Sequence, residues 1–165
     1  MNTNLKEAMK TNVLGNSDLS ITPIGIGAWA IGGDWEFGWG AQDDAHSIAA
    51  IHRAPELGVN WIDTAAVYGL GHSEEVVARA LQEWHGPRPY VFTKCGMIWN
   101  AQGKVDYSLR QESVRRECEA SLRRLKTDVS LKEAWGGPCR ARSHSKSISQ
   151  FRKRPKIRWA IFRRP

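Results

Sequence analysis

Three short apolar runs, each followed by a segment with helical spacing, limit the folds open to this chain more than any other feature. The runs are "IGIGAW" (residues 24–29), "VNWI" (59–62) and "YVFTK" (90–94). After the first, "DDAHSIAAIHRAPELG" places Ile48 and Ile51 on one helical face, with Asp43 or Asp44 available as N-cap. Pro55 would remove a helical hydrogen bond there, so a kink or an early end is expected. After the second, Ser73 can cap a helix whose first turn holds Glu74 and Glu75 and whose stripe is Val76, Val77, Ala80, Leu81 and Trp84. After the third and a loop, Ser108 and Gln111 fit a capping box, and Val114, Cys118, Leu122 and Leu125 share a face. Ahead of the series, "TNVL", the turn "GNSD" and "LSI" read as a hairpin. Strands alternating with helices imply a parallel sheet built of right-handed βαβ units. In such sheets side chains that do chemistry gather at the C-terminal ends of the strands.

Two of those ends carry charge. Asp63 closes the second run, Lys94 closes the third, and Tyr68 lies in the loop just after Asp63. All three are expected at one mouth. A phenol in water has a pKa of about 10, too high for efficient proton donation near neutrality. A neighbouring ammonium favours the phenolate, and a carboxylate holds that ammonium charged and in place. An acid, an amine and a phenol so arranged can protonate an oxygen, as carbonyl reduction requires; the hydride must then come from a cofactor. The plainer reading is an ordinary ion pair at a strand end with a packed tyrosine beside it.

The stretch "DTAAVYGLGHSEE", then "VFTK", then "SVRRECEASLRRL" resembles the aldo-keto reductases, as does the opening "LGNSDLSITPIGIGAWAIGG". The resemblance runs from about residue 10 to about residue 129. It implies a (β/α)₈ barrel, reduction of aldehydes and ketones, and NADPH more often than NADH. It assigns catalytic roles to Asp63, Tyr68 and Lys94, and sets Ala28, Trp29 and Asp63 beside the cofactor. It also implies a catalytic histidine ending the fourth strand. Here "SLRRLKTDV" runs into "SLKEAWGGPCRARSHSK", where no apolar strand is evident and His144 stands in no matching context. The expected fold is therefore α/β, an incomplete (β/α)₈ TIM barrel with an N-terminal hairpin and about three βα units. Residues 1–10 are expected to be disordered, 11–129 to form the barrel part, and 130–165 to be an unmatched, disordered basic tail. Such a chain is expected to show little or no turnover.

Charge supports a seam near residue 130. Residues 1–129 hold 13 Lys and Arg against 16 Asp and Glu, net −3, whereas residues 130–165 hold 11 against Glu133 alone, net +10. A change of reading frame produces such a switch. The rival reading is a basic tail, "RKRPKIRWAIFRRP", that binds nucleic acid or an anionic surface, although it contains no nucleic-acid-binding motif. An incomplete sheet also leaves an edge through which copies could associate.

No run of about eighteen apolar residues suggests a membrane span, and "MNTNLKEAMKTNVLG" has no secretory signal character. A cytoplasmic location is expected. Cys95, Cys118 and Cys139 are too scattered for a metal motif, and no metal site is expected. Glycines 25, 27, 32 and 33 lack the lysine-serine that a phosphate loop needs, so close packing or turns is the reading they receive.

Overall fold

A computed structural model describes residues 9–134 and 159–163. The hairpin forms as expected, β1 (Asn12–Val13) pairing antiparallel with β2 (Ser20–Ile21). Its turn is closed by Leu14 N donating to Leu19 O at 2.8 Å and by the Ser17 hydroxyl donating to Leu14 O at 2.6 Å. The main sheet then runs β3 (Ile26–Gly27), β4 (Trp61–Asp63), β5 (Tyr90–Cys95), β8 (Val129–Ala134) and β9 (Trp159–Arg163), in that order. The first four are mutually parallel and β9 is antiparallel to β8. Helices α1 (Asp44–Glu56), α2 (His72–Glu83) and α3 (Gln111–Arg124) connect the parallel strands.

The core lies between the sheet and the helices. Ile48 and Ile51 of α1, and Val76, Val77, Ala80 and Leu81 of α2, pack with Ala28, Ile62 and Leu125. These are the positions that the helical spacing selects, because one face of each helix must cover the sheet. Asp43 caps α1, its carboxylate accepting from His46 N at 2.9 Å. Pro55 falls in the last turn of α1, which ends one residue later.

The cap of α1 carries a pH dependence. The hydrogen bond from His46 N holds the Asp43 carboxyl below the ordinary aspartate range. A depressed carboxylate contributes stability above its unfolded pKa and loses that contribution as pH falls through its folded value. Asp43→Ala is expected to lower the melting temperature near neutrality, and Asp43→Asn to keep most of it. The deficit of the alanine variant should shrink once pH drops below about 3.9, as melts recorded across the acid range would show.

Four local expectations are corrected. Ser73 does not cap α2: the N-cap position is Gly71, at φ +109, and the Ser73 hydroxyl instead donates across the fold to Ala28 O at 2.8 Å. Ser108 does not cap α3: Arg110 occupies the N-cap with no side-chain bond, while Ser108 N is drawn to Gly96 O at 3.1 Å. The loop after β5 contains a hairpin, β6 (Met97–Trp99) with β7 (Val105–Tyr107). Its turn is organised by Asn100 Oδ1, which accepts from Gln102 N and Lys104 N at 3.0 Å each, and by Gly103 at φ +78.

The fourth correction concerns the seam. No fourth strand is expected from the sequence, yet Val129–Ala134 pairs with β5, Leu131 opposite Phe92 and Glu133 opposite Lys94. Ladder bonds are made by backbone groups, so an open strand edge can be occupied by a segment of mixed side chains. Trp159–Arg163, inside the stretch expected to be disordered, continues the sheet. The remaining expectations for residues 1–8, 135–158 and 164–165, among them a nucleic-acid-binding tail, lie outside the described residues.

Candidate active site

Register brings the acid and the amine together. Asp63 of β4 lies opposite Phe92 of β5, and Lys94 is two residues beyond Phe92, on the same face of the sheet. The chain leaves β4 and makes a short 3-10 turn over Tyr68–Gly71, which turns the phenol back towards the strand ends. Lys94 Nζ then donates to Asp63 Oδ2 at 2.6 Å, to Thr64 O at 3.1 Å and to Tyr68 Oη at 3.1 Å. An ammonium has three N–H bonds, and here each has an acceptor. Lys94 and Tyr68 are each 7% exposed, whereas the Asp63 side chain is 29% exposed. A buried ammonium without a counter-charge would be strongly unfavourable, so Asp63 is what allows Lys94 to sit against the phenol as a cation.

Trp29 follows the end of β3 and stacks on Tyr68, ring centroids 6.0 Å apart and planes 12° from parallel. Its indole Nε1 donates to Phe37 O at 3.0 Å, and the residue is 45% exposed. Ala28 is buried, with both backbone groups engaged: its N donates to Asp63 O at 2.8 Å and its carbonyl accepts from Ser73. On the hairpin side, a cavity of about 370 Å³ is bordered by Leu14, Ile21, Trp61, Phe92 and Asp63. The sequence thus brings Asp63, Tyr68 and Lys94 into contact and sets Trp29 over the phenol, with Ala28 behind as buried wall.

With this geometry in place, comparison with known proteins is decisive. The sequence matches the profile of the "Aldo/keto reductase family" over residues 23–130. The chain belongs to the aldo/keto reductase family. It is 37% identical over 131 residues to the "NADH-specific methylglyoxal reductase" of Escherichia coli (strain K12), a match covering 73% of this chain and 39% of that protein. Among solved structures it is similar to the glycerol dehydrogenase AKR11B4 from Gluconobacter oxydans, with 41% identity and a TM-score of 0.64 over 73% of this chain and 37% of that one. An aldo-keto reductase from Klebsiella pneumoniae in complex with NADPH matches at 29% identity and a TM-score of 0.54, over 73% of this chain and 37% of that one. This aldo/keto reductase chain therefore spans less than two-fifths of the length of these relatives.

Elsewhere in this aldo/keto reductase, buried polar pairs that sequence reasoning missed tie the helices to β5 and its following turn. Glu74, expected only to favour the helix dipole, is fully buried and accepts from the Thr93 hydroxyl and from Arg124 Nε at 2.6 Å. Glu117 ties α3 to the turn after β5, accepting from Gly96 N at 2.7 Å and from the Ser113 hydroxyl at 3.1 Å. Among the described residues no group of His, Cys, Asp and Glu could hold a metal ion, and no helix is long and apolar enough to cross a membrane.

Proposed function

We propose that this chain carries the proton-donating part of a carbonyl reductase site that works with a reduced nicotinamide dinucleotide, NADPH by family resemblance. Tyr68 gives its phenolic proton to the carbonyl oxygen of an aldehyde or ketone. Lys94 stabilises the phenolate left behind, and Asp63 holds Lys94 in place. The observation that carries this reading is the 3.1 Å contact between Lys94 Nζ and the phenol, with Asp63 2.6 Å from the same nitrogen. A plain structural ion pair would not need a phenol in the third direction.

The residues present fit a flat nicotinamide ring in one respect and limit it in another. Trp29 offers a half-exposed aromatic surface beside Tyr68 on which such a ring can lie. Ala28 can shape the site but brings no uncommitted N–H, since its N is bonded to Asp63 O. Asp63 is open enough for a bound group to reach. The nicotinamide would supply hydride to the carbonyl carbon. The protein's own task is to hold a proton at Tyr68 Oη.

Strands β3, β4, β5 and β8 are read as the first four strands of a (β/α)₈ barrel. Among the described residues β3 pairs only with β4, and β9 runs antiparallel along the far edge of β8. Closing a barrel needs parallel neighbours at both edges. β8 has the sequence Val-Ser-Leu-Lys-Glu-Ala and supplies no histidine at its end. We therefore expect the chain alone to show little or no NADPH-dependent reduction of methylglyoxal, and its edges to favour self-association. Micromolar NADPH binding seen as tryptophan quenching, together with turnover, would overturn the first expectation. A monomer at all concentrations in sedimentation would overturn the second.

The trio itself has a test that needs no turnover. Only three tyrosines occur, and Tyr90 and Tyr107 are exposed. In a Tyr90→Phe, Tyr107→Phe background the phenolate absorbance therefore reports Tyr68 alone. Lys94→Met should raise the pH midpoint of that signal by about one unit or more, because the phenolate loses a cation and gains an unpaired Asp63 nearby. An unchanged midpoint would refute the proposed role of Lys94.

A further inference from the structure

Tyr68 sits on a loop whose two ends meet in a buried contact of two hydroxyls. Thr64 follows Asp63 directly, Ser73 is the second residue of α2, and both are completely buried. Their oxygens, Thr64 Oγ1 and Ser73 Oγ, are 2.9 Å apart, and Ser73 Oγ donates to Ala28 O at 2.8 Å. A serine hydroxyl has one proton. Since that proton goes to Ala28 O, the proton between the two hydroxyls must come from Thr64. The chain of donation is Thr64 to Ser73 to Ala28, and it joins the ends of β3 and β4 to the start of α2.

Thr64 is also the residue whose carbonyl receives Lys94 Nζ at 3.1 Å, while its amide donates to Phe92 O at 2.8 Å. One residue therefore holds the ammonium through its carbonyl and the base of the tyrosine loop through its hydroxyl. The amide bond to β5 fixes its peptide plane against the strand that bears Lys94. Among the described residues, Lys94 from β5 faces the phenol and, through it, Asp63 from β4.

We infer that Thr64 and Ser73 form a positioning pair that sets the distance between the Tyr68 phenol and the Lys94 ammonium by closing the loop of residues 64–73 at its base. Neither hydroxyl touches the reacting oxygen; both act through the loop and through the Thr64 carbonyl. This inference rests on the reading of Tyr68 and Lys94 given above. Without the pair the loop is still tethered by Lys94 itself, but the phenol is free to drift from the ammonium, so the phenolate is less well stabilised.

The test uses the full chain in the same Tyr90→Phe, Tyr107→Phe background, with thermal melts recorded alongside phenolate titrations. Thr64→Val keeps the shape and removes the hydroxyl, Ser73→Ala removes the acceptor and second donor, and Thr64→Ser restores the hydroxyl. Thr64→Val and Ser73→Ala should each raise the phenolate midpoint by a substantial part of the shift that Lys94→Met causes, and Thr64→Ser should stay near the parent. A merely structural role lowers the melting temperature in both and leaves the midpoint at the parent value, which overturns the inference while Lys94→Met still shifts. If Lys94→Met itself fails to shift, the proposed function falls and the positioning pair with it. Should Thr64→Val not fold, Ser73→Ala against Thr64→Ser decides the matter on the same criterion.

Discussion

Arg124→Met is expected to cost about 3–5 kcal/mol of folding stability, the range for removing one partner of a buried ion pair. Glu74 has no exposed surface, and Arg124 Nε lies 2.6 Å from its Oε2. Its other oxygen takes the Thr93 hydroxyl. The Arg124 side chain is 19% exposed, so solvent screening is slight and the loss resembles an interior one. Once the guanidinium is gone, the carboxylate of Glu74 is left among β5, α2 and α3 with a hydroxyl as its remaining neutral partner. The guanidinium also lies 5.8 Å from the Trp99 ring centre, so the change should perturb tryptophan fluorescence as well. Replacing both partners, as in Glu74→Leu with Arg124→Met, should recover a large part of the loss, because no unpaired charge remains. Urea melts of the three variants measure this. A loss of less than about 1 kcal/mol for Arg124→Met would mean the pair behaves like an exposed one.

Gly69→Ala is expected to damage both the fold and the trio. The turns Ala30–Gly32 and Tyr68–Gly71 cross with their backbones in contact. A Cβ on Gly69 would stand 2.0 Å from Gly32 O, and one on Gly32 would stand 2.7 Å from Gly69 N. Gly69 also has φ +62, but that alone is tolerable here, since its neighbour Leu70 carries a side chain at φ +54. The collision with backbone decides the outcome, not the dihedral angle. Asn, which often replaces glycine at positive φ, should therefore recover at most the conformational part of the loss. Relief requires the two turns to part, at about 1–3 kcal/mol for overpacking in addition to about 1–2 kcal/mol for the left-handed conformation. Tyr68 is the adjacent residue, so its phenolate midpoint should move in the direction expected for Lys94→Met. Gly15→Ala serves as the control: φ is +57 and nothing lies within 4 Å of its Cβ, so only the conformational cost applies. Equal losses at the two glycines would show that the crossing yields easily.

The arrangement of Asp63, Tyr68 and Lys94 was legible because it depends on local chemistry and one rule of topology. Residues at the C-terminal ends of neighbouring parallel strands share a rim, and a tyrosine five positions after the first strand has little room to go elsewhere. The caps were less legible. Of the two acids the sequence offers, Asp43 became the cap, while Asp44 is held by His72 and Arg79. Ser73 had an alternative partner 45 residues away, and the buried carbonyl of Ala28 won its proton. Glu74 was equally ambiguous in the sequence: an acid in a first helical turn looks the same whether it meets water or Arg124, 50 residues on. The strand over Val129–Ala134 was hidden for a different reason. Its six residues show no apolar run, and what holds them is the unpaired backbone edge of β5, which no reading of their own side chains reveals.

By itself the sequence determined the alternation of strands and helices, the apolar faces that form the core, and the three side chains that meet at the strand ends. Those follow from periodicity and strand direction, which are properties of neighbouring residues. Only the tertiary structure decided which polar groups were buried together: Thr64 with Ser73, Glu74 with Arg124, Gly32 against Gly69. Such pairings join residues tens of positions apart, and their energy depends on distances that exist only once the sheet and helices have closed on one another.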